Sequence, residues 1–131
     1  MKKSGILNAK LAGLIAGLGH KEWFMIADCG MPIPKEVEIV DLSLCMGIPR
    51  FLDVLENVLK EVNVEYYVLA KEINDHNLPI KEKSLLILKG VNHECIDHEE
   101  LKKFSSKAKF VIRTGEDTPF ANIMLQSGVS F

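Results

Sequence analysis

The stretch Trp23-Phe24-Met25-Ile26-Ala27-Asp28-Cys29-Gly30 contains five consecutive apolar residues that end abruptly at an aspartate. The charged residues Lys21 and Glu22 come directly before it. A short, continuous apolar run with polar residues at both ends is typical of a strand that is buried on both faces, as in a parallel sheet. The stretch therefore predicts a central strand with Asp28 at its carboxyl end.

Helix and strand patterns alternate on both sides of this strand. Before it, apolar residues at helical spacing between Asn8, a natural N-cap, and Gly19, a natural stop, predict a helix. Further strands are predicted at residues 37–40, 64–70, 94–96 and 110–112. Helices are predicted at residues 49–62, at 81–88 and from Asp97 or His98 onward, with a loop at 74–79 and an apolar segment at 123–131. This alternation predicts one α/β domain over residues 1–131, with a largely parallel sheet.

Composition excludes several classes of partner. The formal net charge is −2, and 16 basic and 18 acidic residues are interspersed, so we expect no nucleic-acid partner. Three cysteines, with no C-x-x-C pair, favour reduced thiols in a cytoplasm over a secreted disulfide framework. The apolar run at residues 11–18 is too short to span a membrane and fits an amphipathic helix better than a signal peptide.

Candidate site residues follow the predicted strands. The carboxyl ends of parallel strands form the edge at which α/β sheets place their sites, and Asp28, Asp41 and Arg113 each follow a strand. Other acid-base candidates are His20, His93, His98, Glu116 and Asn122. No glycine-rich loop follows a strand and no G-x-S-x-G motif occurs, so we expect neither a nucleotide cofactor nor a serine nucleophile.

Each candidate also has a plain structural explanation. His20 follows a helix stop, where the helix dipole favours a histidine. Asp28 and Asn122 are common turn-formers. His98 suits the start of a helix, and residues 113–116 fit a strand-end ion pair and turn. On the residues alone, His20 is a candidate because histidine is the side chain best suited to proton transfer near neutral pH.

Two further patterns favour structure over chemistry. His93, Cys95 and His98 resemble metal ligands in type, but a strand followed by a helix turns His98 away from the other two, and no fourth ligand is evident. We therefore expect no metal site. Cys29 has no neighbour in sequence that would activate a thiol, and His76, in a polar stretch, is expected to be a solvated loop residue.

Ten short segments, in order along the whole chain, resemble one known family. They are Gly5-Ile6-Leu7-Asn8, Leu18-Gly19-His20, Ile26-Ala27-Asp28-Cys29-Gly30-Met31-Pro32-Ile33-Pro34, Asp41-Leu42-Ser43-Leu44, Gly47-Ile48-Pro49, Glu72-Ile73, His98-Glu99-Glu100, Val111-Ile112-Arg113-Thr114-Gly115-Glu116, Thr118-Pro119-Phe120-Ala121-Asn122 and Gly128-Val129-Ser130-Phe131. With them the sequence resembles the D-ribose pyranase and fucose mutarotase family, and is closest to its ribose pyranase branch.

The resemblance implies a fold, an activity and a set of site residues. The fold is an α/β/α sandwich, and the activity is interconversion of the pyranose and furanose forms of a free aldose, here ribose, without a cofactor. The assembly is a ring-like cytoplasmic homo-oligomer with sites between subunits. By position, His20 matches the general acid, while Asp28, His98 and the segment Phe120-Ala121-Asn122 match sugar-binding positions.

One departure keeps alternatives open. Phe120 stands where family members typically have tyrosine, so a hydroxyl that could bond the sugar or transfer a proton is missing. A phenyl face can still pack on the C–H surface of a sugar. The alternatives are a non-catalytic sugar-binding or transport-accessory module, and a mutarotase that acts on fucose or another aldose.

Overall fold

The apolar run at residues 23–27 forms an inner strand of a six-stranded sheet in the computed structural model, which describes residues 1–131. The strands, in chain order, are β1 (Trp23–Ala27), β2 (Glu38–Asp41), β3 (Val64–Ala70), β4 (Asn92–Ile96), β5 (Ala108–Arg113) and β6 (Ile123–Ser127). Their order across the sheet is β2-β5-β1-β6-β3-β4. All of β1 except Trp23 is buried, as its continuous apolar sequence predicts.

Helices cover both faces of this sheet. They are α1 (Ala9–Ala16), α2 (Phe51–Leu59), α3 (Ile73–His76), α4 (Leu78–Ile87) and α5 (His98–Phe104), followed by a 3-10 turn at Ser105–Lys107. On one face, apolar residues of α1 and α2 pack with Phe24 and Ile26 of β1. On the other face, Leu101 of α5 packs with Met25 and Ala27. The predicted three-layer α/β/α sandwich is confirmed.

Strand directions are mostly parallel, with one exception in the middle of the sheet. The pairs β1–β5, β2–β5 and β3–β4 are parallel, whereas β6 runs antiparallel to both β1 and β3. The sequence predicted residues 123–131 only as an apolar segment, because a buried run does not reveal the direction of a strand. Since β6 is antiparallel, Asn122 at its start lies at the same edge as Asp28 at the end of β1.

The prediction of a loop at residues 74–79 is wrong. Residues 73–76 form α3, and α4 begins at Leu78 with Pro79 in its first turn. Proline is tolerated there because the first N–H groups of a helix have no partner within it. Asn77, between the two helices, donates from Nδ2 to Thr118 Oγ1 (2.9 Å) and to the carbonyl oxygen of Pro119 (2.8 Å).

The first helix begins where the sequence predicts. Asn8 Oδ1 accepts a hydrogen bond from the backbone N–H of Leu11 (2.9 Å), which is an N-cap. The helix ends earlier than expected, with Gly17 rather than Gly19 as its C-cap. Neither this helix nor any other in the chain combines the length and the apolar character that a membrane crossing requires.

Candidate functional site

A cleft of about 360 Å³ opens at the carboxyl edge of β1, β4 and β5. It is lined by residues 28–32 after β1, by His98 and Lys102 of α5, and by residues 116–120 and 122 before β6. Its volume falls within the range that small-molecule sites occupy. Asp28, His98, Phe120 and Asn122, which the sequence predicts as site residues, therefore meet in one place.

Asp28 and Asn122 hold each other in a reciprocal pair. The backbone N–H of Asp28 donates to Asn122 Oδ1 (2.9 Å), and Asn122 Nδ2 donates to Asp28 Oδ2 (2.8 Å). The backbone N–H of Gly30 donates to Asp28 Oδ1 (3.0 Å). Asn122 is only 1% exposed, so its orientation is set by these bonds. The pair therefore presents a fixed carboxylate to the cleft.

Burial raises the pKa of Asp28 above the ordinary value of 3.8. The hydrogen bonds from Asn122 and from the backbone of Gly30 and Met31 act in the opposite direction, as does the nearby His98, but burial has the largest effect. Desolvation disfavours the charged form of a carboxyl group. The Asp28 carboxyl thus takes up a proton more readily than an exposed aspartate does.

His98 begins α5 and is anchored through its backbone. Its N–H donates to both carboxylate oxygens of Glu72, at 3.2 and 3.0 Å. Its imidazole ring contacts the Phe120 ring edge to face, with 5.0 Å between the ring centroids. The Nδ1 atom of His98 is buried and has no hydrogen-bond partner. A buried polar atom without a partner is unusual, which favours a partner from outside the chain.

The segment from Glu116 to Asn122 forms one wall of the cleft. Phe120 has a positive φ of 59°, which is uncommon for a residue other than glycine. Its ring lies between His98 and His76, whose centroid is 5.5 Å away. His76 is exposed, as expected, but it belongs to α3 rather than to a loop. Ala121 is fully buried and exposes no side-chain atom to a ligand.

Glu116 anchors this segment to α2. Its carboxylate is 2% exposed and accepts hydrogen bonds from Arg50 Nη1 (3.1 Å), from the backbone N–H of Phe51 (3.1 Å) and from Thr118 Oγ1 (2.9 Å). Arg113, which the sequence places in a strand-end ion pair, pairs with Asp41 instead of Glu116, at 3.2 Å between Nη1 and Oδ2. Neither Asp41 nor Arg113 lines the cleft.

Lys102 lines the cleft, although the sequence did not single it out. It comes four residues after His98 on α5, and residues at this spacing share one face of a helix. That spacing is the signal that could have identified it. Cys29 also lines the cleft and is exposed. His93, on β4, stacks on Tyr67 of β3 with 4.7 Å between the ring centroids. No group of three or more His, Cys, Asp or Glu side chains is placed to hold a metal ion.

His20 lies apart from these residues, before the start of β1. Its ring is exposed, and Nε2 is 2.9 Å from Glu65 Oε2. Because a strand advances about 3.3 Å per residue, the five residues of β1 alone separate His20 from Asp28 by roughly 16 Å. Within one protomer, His20 and the cleft therefore cannot contact the same small ligand.

Residues 1–130 match the RbsD / FucU transport protein family. The chain belongs to this family. The resemblance found in the sequence is thereby confirmed, and it extends over nearly every residue. Relatives that are 50–52% identical to this chain cover it completely.

Two of these relatives are proteins named D-ribose pyranase. The one from Geobacillus kaustophilus (strain HTA426) is 52% identical over 131 residues, which is 100% of this chain and 96% of that protein. The one from Laribacter hongkongensis (strain HLHK9) is 50% identical and covers 100% of both. Both similarities therefore include the cleft and the segment around His20.

Two solved structures share the fold. Bacillus subtilis RbsD, solved in complex with D-ribose, superposes with a TM-score of 0.96 and 44% identity, covering 100% of both chains. The fucose mutarotase of Streptococcus pneumoniae, solved with L-fucose, has a TM-score of 0.81 at 18% identity and 95% coverage of both chains. At that low identity the second comparison shows the fold alone.

Proposed function

We propose that this protein is an enzyme that interconverts the pyranose and furanose forms of free D-ribose. The observation that carries the proposal is the match, over 100% of both chains, to a protein solved in complex with D-ribose. The relatives named D-ribose pyranase, about half identical over the full chain, support the same reaction. The cleft supplies a site of suitable size in this chain.

The cleft residues suit a polyhydroxylated ring. The Asp28 carboxylate, held by Asn122 and Gly30, can accept hydrogen bonds from sugar hydroxyls. His98 supplies a ring nitrogen, and the face of Phe120 can pack on sugar C–H groups in place of a tyrosine. Ala121 is buried, so its contribution is to place its two neighbours rather than to bond the sugar.

The only chemistry that the protein must supply for ring opening and closure is proton transfer. A proton leaves the anomeric hydroxyl, the bond between C1 and the ring oxygen breaks, and the ring oxygen gains a proton; closure through another hydroxyl gives the other ring size. We assign this proton exchange to His20, because imidazole can accept and donate protons near neutral pH. General acid-base catalysis typically contributes about 10²–10⁴-fold in rate. No step of this exchange calls for a metal or a cofactor.

Because His20 lies far from the cleft of its own protomer, we infer that a second copy of the chain brings it to the sugar. A ring-like homo-oligomer would meet this need. Its contact surface includes the loop after β2, where Leu44, Met46 and Ile48 are 79%, 80% and 53% exposed. Apolar side chains grouped in this way on a surface are typical of protein contacts. The three unpaired cysteines fit a cytoplasmic location. We propose that residues 1–131 act as a single domain within the assembly.

The test is saturation-transfer NMR between the pyranose and furanose signals of ribose. We expect the protein to accelerate exchange, and His20→Ala to reduce exchange by about 10²-fold or more while ribose binding and assembly persist. His93→Ala, which removes another exposed histidine, serves as the matched control and should exchange normally.

Three results would change the proposal. Unimpaired exchange in His20→Ala would contradict the assignment of His20. Ribose binding without any acceleration by the unmodified protein would favour a sugar-binding or transport-accessory module. If the same assay showed faster exchange on fucose or another aldose than on ribose, that sugar would replace ribose as the proposed substrate.

A further inference from the structure

The ring of His20 makes its hydrogen bond with a single side chain, that of Glu65 on β3. The distance between Nε2 and Oε2 is 2.9 Å, and the two side chains are 45% and 36% exposed. An ionised carboxylate can only accept hydrogen bonds, so Nε2 must carry the hydrogen that it donates. In the neutral ring, Nδ1 is then the nitrogen with a free lone pair.

The backbone on either side of His20 is held in place. The backbone N–H of Gly19 donates to the Glu22 carboxylate (2.7 Å), and that of Lys21 donates to the carbonyl oxygen of Ser127 on β6 (2.8 Å). Lys21 itself has a positive φ of 66°. Since the backbone is fixed, the position of the imidazole depends on its side-chain torsions, and Glu65 is the group that restrains them.

Glu65 occupies an irregular position in the sheet. Val64 lies opposite Ser127 and Tyr66 lies opposite Gln126, so Glu65 is an extra residue between two successive pairs. This is the arrangement of a β-bulge, and bulges redirect a side chain relative to a regular strand. The bulge and the hydrogen bond are separate observations, and both connect Glu65 to His20.

We propose that Glu65 is a positioning residue for His20, which fixes Nε2 as the donor nitrogen and leaves Nδ1 to exchange the proton with the sugar. The proposal rests on the role of His20 in the proposed function. Nδ1 takes the proton of the anomeric hydroxyl as C1–O1 becomes a carbonyl and the bond from C1 to the ring oxygen breaks. The ring oxygen then receives the proton from Nδ1. Glu65 takes part only as the acceptor of the hydrogen bond from Nε2.

Because the pair is exposed, replacing Glu65 should leave folding intact, since surface ion pairs contribute little to stability. We expect Glu65→Ala to lower kcat by about 10-fold or more, because the wrong tautomer then competes. KM for ribose should stay within about two-fold, because the cleft residues are untouched. Glu94→Ala, an exposed glutamate on the neighbouring strand β4, is the matched control and should keep kcat.

Two readouts separate this role from a structural one. The ¹⁵N shifts of the His20 ring should report hydrogen on Nε2 in the unmodified protein and a mixture of tautomers in Glu65→Ala. In a double-mutant cycle, Glu65→Ala should cause no further loss of rate in the His20→Ala background. The effects of two substitutions on the rate are not additive when one residue acts through the other.

The outcomes distinguish the two proposals. Loss of exchange in His20→Ala together with normal kcat in Glu65→Ala would overturn the role of Glu65 alone. The role of Glu65 would also be overturned if Glu65→Ala lowered the rate by the same factor in the His20→Ala background as in the unmodified protein. An unchanged His20 tautomer in Glu65→Ala would overturn it as well. Normal exchange in His20→Ala would remove the proposed role of His20, and that of Glu65 with it.

Discussion

At the scale of single residues, Asp28 shows how burial and hydrogen bonding set the state of a binding group. Burial raises its pKa above 3.8, and the bonds from Asn122 and Gly30 only partly offset this. The ionised form can accept two or more sugar hydroxyls, whereas the protonated form loses part of that capacity. The protonation state of Asp28 should therefore control sugar affinity.

We expect ribose affinity to fall on acidification from about pH 7 to about pH 4, beginning at a higher pH than an ordinary aspartate would give. The contribution of Asp28 to the free energy of unfolding should change in the opposite direction and increase on acidification. The folded state holds the Asp28 proton more tightly than the unfolded state does, so this stabilising contribution is present at low pH and is lost as pH rises through the folded-state pKa. Calorimetric titration with ribose measures the affinity. Asp28→Asn should bind weakly at all these pH values, and an undiminished pH dependence in this variant would assign the effect to another group.

At the scale of elements, the segment between β5 and β6 keeps its shape through one buried carboxylate. Glu116 bonds Arg50, the backbone of Phe51 and Thr118 at once. In Glu116→Gln, one of the two oxygens becomes a donor, so at least one of these donors loses its acceptor. We expect a loss of about 1–3 kcal/mol in the free energy of unfolding, measured with denaturant, and weaker ribose binding.

Asp117→Asn is the control for this prediction. Asp117 pairs with the same Arg50 but is exposed, so its replacement should change the free energy of unfolding by at most about 1 kcal/mol. Equal losses in the two variants would mean that the buried bonds of Glu116 do not hold the segment.

The elements also show what sequence patterns can predict. The buried run of β1 and the N-cap at Asn8 are local signals, and both appear in the structure as expected. The antiparallel direction of β6 and the partner of Glu116 depend on contacts between distant residues, such as Arg50, which no local pattern contains. Lys102 was missed although its helical spacing from His98 was visible, because α5 was predicted only from its start.

At the scale of the whole molecule, the sheet separates the two halves of the proposed site. Asp28 lies at the carboxyl end of β1, and His20 lies before its amino end. The sequence could list these residues but not their separation, since that depends on the direction of the strand between them. The loop with the exposed Leu44 and Met46 packs on Gly115, where a side chain would collide with the carbonyl oxygen of Ile48. The proposed contact surface is thus continuous with the segment that carries Glu116.

A mixed assembly tests whether the halves come from different copies. His20→Ala and Asp28→Asn should each be inactive alone. Co-expressed with different tags and purified through both, they should regain activity, because an Asp28→Asn copy supplies an intact His20 to the intact cleft of a His20→Ala copy. With random mixing at equal amounts, about one quarter of the sites would contain both intact halves. If both halves came from one protomer, the mixture would stay inactive, so NMR exchange rates near zero in a mixture that light scattering shows to be assembled would contradict a shared site.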